Sequence, residues 1–233
     1  MYVGSPWLSE ETPWRTAPRA PDIGEHNEEI IKSLESPPDG RTAPAAARGN
    51  GSRPFAIEDV RILDLGWVVA GAGGGSYLAS LGAEDIRVEW KGQPDNIRRG
   101  GTAIPVGEER ERVLRGESLI PTWAGQNQSG SFADVNLGKR GIGLNLRHEK
   151  GRELLKELVR VSDIIVENFT ARTMDRLGLG YDELRKVNPS IIYIQQPGAA
   201  GEWDEILISS ISRNHNVHVF EPDQPPGPQF ESV

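Results

Sequence analysis

The chain has 233 residues, a formal net charge of −8, no cysteine, and 27 glycines and 17 prolines. The acidic balance argues against a nucleic-acid-binding protein, and the lack of cysteine excludes disulfides, thiolate nucleophiles and cysteine zinc sites. No apolar run reaches the roughly 20 residues of a membrane span, and the N-terminus has no signal-peptide core. We therefore expect a cytoplasmic protein with one substantial domain and long loops or linkers.

Residues 1–34 begin with an extended, proline-containing stretch and continue into a helix predicted over residues 25–34. Ile30, Ile31 and Leu34 form an apolar stripe on that helix. Residues 35–56 are rich in proline, glycine, alanine and small polar residues, a composition typical of a flexible linker. Because about 20 flexible residues span roughly 25 Å, we expect the helix to pack back on the sheet that follows.

Strands and helices alternate between residue 57 and about residue 201. Strands are predicted at 60–65, 85–90, 141–146, 164–166 and 191–194. Those at 60–65, 164–166 and 191–194 are apolar or β-branched runs typical of buried parallel strands, and the one at 141–146 alternates. Helices are predicted at 76–81, 148–161, 171–177 and 182–188. The alternation predicts an α/β fold with a Rossmann-like, doubly wound parallel sheet.

Two stretches interrupt this pattern. Residues 91–128 lack apolar periodicity and predict a long surface excursion, with the mixed charges at 108–112 facing solvent. After Gly201, residues 206–211 are compatible with a short strand or helix, and the proline-rich 222–228 predict a disordered tail over 202–233. His215 and His218 have the spacing of a metal-binding pair, but without a third ligand an incidental pair is the preferred interpretation.

A glycine-rich segment follows the first strand and contains Gly71, Gly73, Gly74 and Gly75. Glycine lets a backbone approach a ligand closely, and the helix after such a turn offers N–H groups to a phosphate. With Glu89 about 20 residues further on, the segment partly matches the dinucleotide fingerprint of an NAD(P)-dependent oxidoreductase. The first glycine comes later after the strand than that fingerprint requires. The alternative is that the glycines allow close packing of the helix on the sheet.

An ordered series of motifs resembles the class III (CaiB/BaiF-type) CoA-transferases, the family of formyl-CoA transferase. The series comprises LDLGWVVAG at 63–71, LASLGAEDIRVE at 78–89, NLGKR at 136–140, LNL at 144–146, GRELL at 151–155, DIIVENF at 163–169 and RLGLGY at 176–181. The resemblance implies the large, CoA-binding domain of that family. It also implies transfer of CoA between an acyl-CoA and a carboxylic acid through an aspartyl intermediate.

The resemblance further implies a CoA site. Phosphates need cationic or N–H donors, and the pantetheine arm needs an apolar channel. Carried over by position, the CoA-binding residues are Trp67, Val68, Val69, Ala70, Lys91, Leu144, Arg147, Asn168, Phe169, Thr173, Arg176 and Leu177. Lys139 and Arg140 are expected nearby. Trp67 stands where formyl-CoA transferase has histidine, and Trp90 where a basic residue is common, so the adenine contact departs from the family pattern.

The expected partners are CoA and acyl-CoA thioesters, with no metal and no cofactor other than CoA as substrate. The family's aspartate lies downstream of the segment matching 191–198, and the flanks of Asp204 do not match it, so no catalytic residue is assigned. Residues 1–34 resemble the closing segment of the family. The chain is therefore interpreted as a fragment of a tandem transferase, inactive alone. The interlocked dimer of the family depends on a small domain that is not found here. The alternative functions are those of an NAD(P)-dependent oxidoreductase and of a non-catalytic CoA-binding or interaction remnant.

Overall fold

One six-stranded sheet runs through the part of the chain that the computed structural model describes, which is residues 15, 18–35, 55–98, 107–117, 127, 129–170, 172–196 and 208–209. Its strands are β1 (Arg61–Asp64), β2 (Glu84–Glu89), β3 (Arg140–Gly143), β4 (Ile164–Glu167), β5 (Ile192–Gln195) and β6 (Ile208–Ser209). The strand order is β3-β2-β1-β4-β5-β6, and all neighbours are parallel except β5 and β6. The predicted α/β parallel sheet is confirmed.

Helices connect and cover the strands. They are α1 (Asn27–Glu35), α2 (Ala70–Ser80), α3 (Gly107–Leu114), α4 (Gly130–Val135), α5 (Glu149–Arg160), α6 (Thr173–Arg176) and α7 (Tyr181–Val187), with a 3₁₀ turn at Asn96–Arg98. The chain winds outward from β1 to β3 and then returns to place β4 on the other side of β1. In open parallel sheets this reversal leaves a crevice at the carboxyl ends of the two central strands, where ligands bind.

The two faces of the sheet are buried by different chemistry. Along β2, Ile86 and Val88 join the apolar cluster that also contains Leu155 and Leu158 of α5. Side chains alternate across a strand, so the intervening Asp85, Arg87 and Glu89 lie on the opposite face, where they too are buried. At β2 the sheet therefore has an apolar core on one face and a layer of charged side chains on the other.

Helix α2 covers the charged face, and its glycines explain how closely it packs. A Cβ on Gly75 would collide with Oδ2 of Asp85, and a Cβ on Gly71 would lie 2.7 Å from Cα of Gly66. The helix begins six residues earlier than predicted, so Gly71, Gly73, Gly74 and Gly75 are helical. The prediction of a glycine turn that cradles a ligand is wrong, and the packing alternative is confirmed for Gly71 and Gly75.

The predicted surface excursion at 91–128 is wrong at its start. Asp95, Ile97 and Arg98 are buried, because the 3₁₀ turn inserts between the sheet and α4. Arg98 donates to both carboxylate oxygens of Glu89, and its guanidinium lies 3.7 Å from the centre of the Phe132 ring. The charged cluster within α3 is exposed at its described positions, as predicted.

Residues 18–35 pack along β3, at the edge of the sheet. The backbone N–H groups of Gly141 and Gly143 donate to His26 Nδ1 (3.0 Å) and Asn27 Oδ1 (2.8 Å). Ile30 enters the apolar cluster from α1. The prediction that this helix docks on the sheet is confirmed. The docked segment also satisfies edge donors that would otherwise be open to another strand.

Replacing Ile30 by Ala should lower the free energy of unfolding by about 2–3 kcal/mol, because it leaves a cavity in the core. Ile31 is the matched control, since it is 40% exposed whereas Ile30 is 0% exposed. Ile31→Ala should cost less than about 0.5 kcal/mol. Urea unfolding of both variants measures the difference, and equal losses would show that α1 is not docked in solution.

Most of the predicted linker and most of the predicted C-terminal tail lie outside the described residues. The linker is not described at positions 36–54, and the tail at 202–233 is described only at β6. Within the latter range, Ile208 pairs with Ile194 and Ser209 with Tyr193 in antiparallel register. His215, His218 and Asp204 also lie outside the described residues. None of the helices in the described ranges is both long and apolar enough to cross a membrane.

Candidate functional site

A cavity of about 390 Å³ opens at the carboxyl ends of β1, β2, β3 and β4. Its volume lies within the range of small-molecule sites, and its walls are mainly apolar and aromatic with a few polar groups. The lining residues are Leu65, Trp67, Val88, Glu89, Trp90, Gln93, Leu144, Asn145, Leu146, Arg147, Asn168, Phe169, Thr170, Thr173 and Leu177. The cavity therefore occupies the crevice expected where the strand order reverses.

Seven of the twelve predicted CoA-binding residues line this cavity: Trp67, Leu144, Arg147, Asn168, Phe169, Thr173 and Leu177. The other five are exposed and outside its lining: Val68, Val69, Ala70, Lys91 and Arg176. Of these, Arg176 donates to Oγ1 of Thr173. The run 68–70 continues from Trp67, and Lys91 directly follows Trp90. Their contact with CoA stays a prediction.

Sequence reasoning missed several lining residues: Leu65, Val88, Glu89, Trp90, Gln93, Asn145, Leu146 and Thr170. A usable signal was present, since Leu65 and Trp90 directly follow β1 and β2. Taking the residues at the carboxyl end of each predicted strand would have found most of them.

Arg147 brings positive charge to the mouth of the cavity. Its Nη2 donates to Oε1 of Gln93 (2.9 Å), and its guanidinium lies 6.0 Å from the centre of the Trp90 ring. Among the described residues it has no carboxylate partner, so its charge is available to an anion. Lys139 and Arg140, which were expected near the site, instead pair with Asp64 and Glu84.

The turn between β1 and α2 is fastened by side chains. Trp67 N–H donates to Oδ1 of Asn168 (2.6 Å), and Nδ2 of Asn168 donates to the Trp67 carbonyl (2.8 Å). The N–H groups of Gly66 and Val68 donate to Asp64 Oδ1 (2.7 Å) and Asp95 Oδ2 (3.0 Å). Three successive N–H groups that a dinucleotide-binding turn would direct at phosphate thus already have partners.

Glu89 is likewise engaged within the protein. Burial alone would raise its pKa, but the hydrogen bonds from Arg98 and the charge of Arg87 hold the pKa of Glu89 below its ordinary value. An ionised carboxylate bonded to Arg98 at 2.6 Å is poorly placed to accept a ribose hydroxyl. The structure therefore gives no support to the dinucleotide interpretation of the glycine segment.

Glu167 supports the wall of the cavity from beneath. Its Oε2 accepts from the Phe169 N–H (2.7 Å), and its Oε1 accepts from the Tyr193 hydroxyl (3.2 Å). Burial raises the pKa of Glu167, and burial together with the charge of Glu167 raises the pKa of Tyr193. Phe169, fixed in this way, meets the Trp67 ring edge to face, with 6.0 Å between ring centres.

The charge layer beneath α2 lies next to this turn and contains four carboxylates and three cations: Asp64, Asp85, Glu89, Asp95, Arg87, Arg98 and Lys139. Neither oxygen of Asp85 has a hydrogen-bond partner among the described residues. Burial, with the charge of Asp64, raises the pKa of Asp85 to about 7 against the opposing charges of Lys139 and Arg87. A protonated Asp85 leaves three carboxylates to balance three cations.

The described residues contain no group of three or more acidic or histidine side chains that could hold a metal ion. What they do form is an α/β domain with a largely apolar crevice at its topological switch point. At the mouth of this crevice lies Arg147, which has no carboxylate partner among the described residues. The family model of CoA-transferase family III matches residues 57–205. The chain belongs to this family, as the resemblance implied.

Known relatives agree with this assignment. An acyl-CoA transferase of Fusarium pseudograminearum is 40% identical over 64% of this chain and 30% of its own length. An acetyl-CoA:oxalate CoA-transferase of Acetobacter aceti is 35% identical over 67% of this chain and 33% of its own length. A CaiB/BaiF family protein from Brucella suis has a similar crystal structure, with a TM-score of 0.50, 30% identity, and coverage of 61% of this chain and 33% of that one. The chain spans about a third of the length of these relatives.

Proposed function

We propose that the chain forms the CoA-binding wall of a class III CoA-transferase, an enzyme that moves CoA between an acyl-CoA and a carboxylic acid. The observation that carries this proposal is the cavity itself, which gathers seven residues implied by the family resemblance around one crevice. Two of the relatives are named for transfer of CoA or acyl-CoA. The acyl donor and the acceptor acid are left open by this proposal.

The residues of the cavity suit the parts of CoA. Arg147, which lacks a carboxylate partner among the described residues, would pair with a phosphate at the mouth. The apolar side chains of Leu65, Leu144 and Leu177 would pack against the pantetheine arm. Both polar atoms of the Asn168 side chain are used by the backbone of Trp67, so Asn168 would shape the cavity rather than bond to CoA.

For the whole enzyme we propose the aspartyl route. An aspartate carboxylate attacks the thioester carbonyl, and the CoA thiolate leaves as a mixed anhydride forms. The thiolate then attacks the aspartyl carbonyl, which releases the first acid and leaves an aspartyl-CoA thioester. The acceptor acid reverses these steps and departs as the new acyl-CoA. None of the described residues is assigned the role of this aspartate.

A titration with CoA tests the proposal at the level of this chain. We expect CoA to bind and NADH not to bind, because Arg98 holds Glu89 away from a ribose hydroxyl of NADH, whereas Arg147 offers a cation to the phosphomonoester that CoA carries and NADH lacks. Phe169→Ala should raise the CoA dissociation constant about tenfold, since the variant loses an aromatic wall of the cavity. Isothermal titration calorimetry measures both effects.

Phe55→Ala is the matched control. Phe55 is half-buried, but it lies outside the cavity, beneath the Arg15 guanidinium at 5.6 Å. Its truncation should leave CoA affinity unchanged within about twofold. Binding of NADH in place of CoA would overturn the proposal in favour of the oxidoreductase alternative. The chain alone is expected to bind CoA without exchanging it between an acyl-CoA and acids, because none of the described residues is assigned the role of the aspartate.

A further inference from the structure

Val68 has a backbone conformation that its side chain disfavours. Its φ is 60°, in the left-handed region. For a β-branched residue this is an outlier, and such strain persists only where the surrounding structure enforces it. Val68 follows Trp67, whose ring forms part of the cavity wall, and it is 45% exposed. Its own apolar packing therefore does not explain the conformation.

A buried carboxylate does explain it. Oδ2 of Asp95 accepts the Val68 N–H at 3.0 Å, and the same oxygen accepts Nη2 of Arg87 at 2.6 Å. Oδ1 of Asp95 accepts the Ile97 N–H at 3.0 Å, and the Asp95 N–H donates to Oε1 of Glu89 at 3.1 Å. Asp95 is 0% exposed. Both of its carboxylate oxygens and its backbone N–H are held by hydrogen bonds within the protein.

We propose that Asp95 is a positioning residue for the CoA site, acting through the strained Val68 peptide on the orientation of Trp67. The inference rests on the proposed function. Asp95 does not line the cavity. It fixes one end of the turn while Asn168 fixes the Trp67 peptide, and together they hold the Trp67 ring against Phe169. Without the Asp95 acceptor, Val68 relaxes toward negative φ and the indole leaves its place in the wall.

A double-mutant cycle separates this role from a general effect on folding or charge. Asp95→Ala removes the oxygen that accepts the Val68 N–H, and we expect it to weaken CoA binding about tenfold. Glycine adopts positive φ without help. In the Val68→Gly background, the same Asp95→Ala change should therefore weaken CoA binding by less than about threefold. Equal losses in both backgrounds would overturn the proposal.

Amide hydrogen exchange provides a readout that does not depend on CoA. In the protein without ligand, Asp95→Ala should accelerate exchange of the Val68 N–H by about a hundredfold or more, while the Leu63 N–H in β1 keeps its protection. Failure of the unaltered chain to bind CoA would count against the proposed function alone. Unchanged protection of the Val68 N–H in Asp95→Ala would overturn the positioning role, whatever the ligand.

Discussion

Replacing Lys139 by Met should lower the free energy of unfolding by about 3–5 kcal/mol, the cost of removing one partner from a buried ion pair. Nζ of Lys139 lies 2.5 Å from Oδ2 of Asp64, and both side chains are 0% exposed. The same ammonium donates to the Ala72 carbonyl in α2 at 2.6 Å. Burial would raise the pKa of Asp64, but Lys139 and then Arg87 hold it below its ordinary value, so Asp64 is ionised and depends on these cations.

The matched control for this change is Lys186→Met. Lys186 also forms an ion pair, with Glu183, but its side chain is 66% exposed, and exposed pairs contribute little. We expect a loss below about 0.5 kcal/mol for the control. Chemical denaturation at pH 7 measures both variants. A loss for Lys139→Met as small as that of the control would mean that the charge layer is hydrated in solution.

Asp85→Asn should abolish a dependence of stability on pH amounting to about 3 kcal/mol between pH 5 and pH 8. The pKa of Asp85 is raised from 3.8 to about 7 in the folded protein. The folded state therefore binds a proton that the unfolded state has already released in this range. Stability falls as pH rises from about 4 to about 7, and the full penalty is present above pH 7.

Comparison of the unaltered protein with Asp85→Asn isolates the effect of the Asp85 carboxyl group on stability. Asp64 and Glu89 have lowered pKa values, so the stability they provide is lost only as pH falls below their ordinary range, outside the window of Asp85. The raised pKa of Glu167 contributes equally to both proteins. Unfolding by urea at pH 5, 6, 7 and 8 gives the two stability curves. Parallel curves would contradict a protonated Asp85 and with it the charge balance of the layer.

Much of the fold follows from local patterns. The runs around β1 and β4 are short and mainly apolar, β2 alternates between apolar and charged residues, and α5 has a regular apolar spacing, so element types and order could be predicted. The start of helix α2 could not be predicted from the sequence, because Gly71, Gly73, Gly74 and Gly75 have low helix propensity. Close packing on the charged face at Gly75 overrides that propensity, and only the folded structure shows this contact.

The charge layer shows a second limit of sequence reasoning. Asp85, Arg87 and Glu89 alternate with apolar residues, which is the usual pattern of a strand with one face in water. Arg87 and Glu89 are buried with partners from another segment, Asp95 and Arg98. Lys139 joins the layer from the segment before β3 by pairing with Asp64. Similarly, the motif resemblance brought Asn168 into the predicted site, but only the structure shows that its side chain binds the Trp67 backbone.

The packing of α1 on β3 has a consequence for biosynthesis. His26 leaves the ribosome 115 residues before Gly141, the residue to which it is hydrogen-bonded. At about 5–20 residues per second, the docking surface for this segment is completed roughly 6–20 s after the segment itself. During that interval Ile30 has no core to enter. The nascent chain therefore carries an unburied amphipathic helix until β3 has been made, and docking joins this segment to a sheet edge that is synthesised much later.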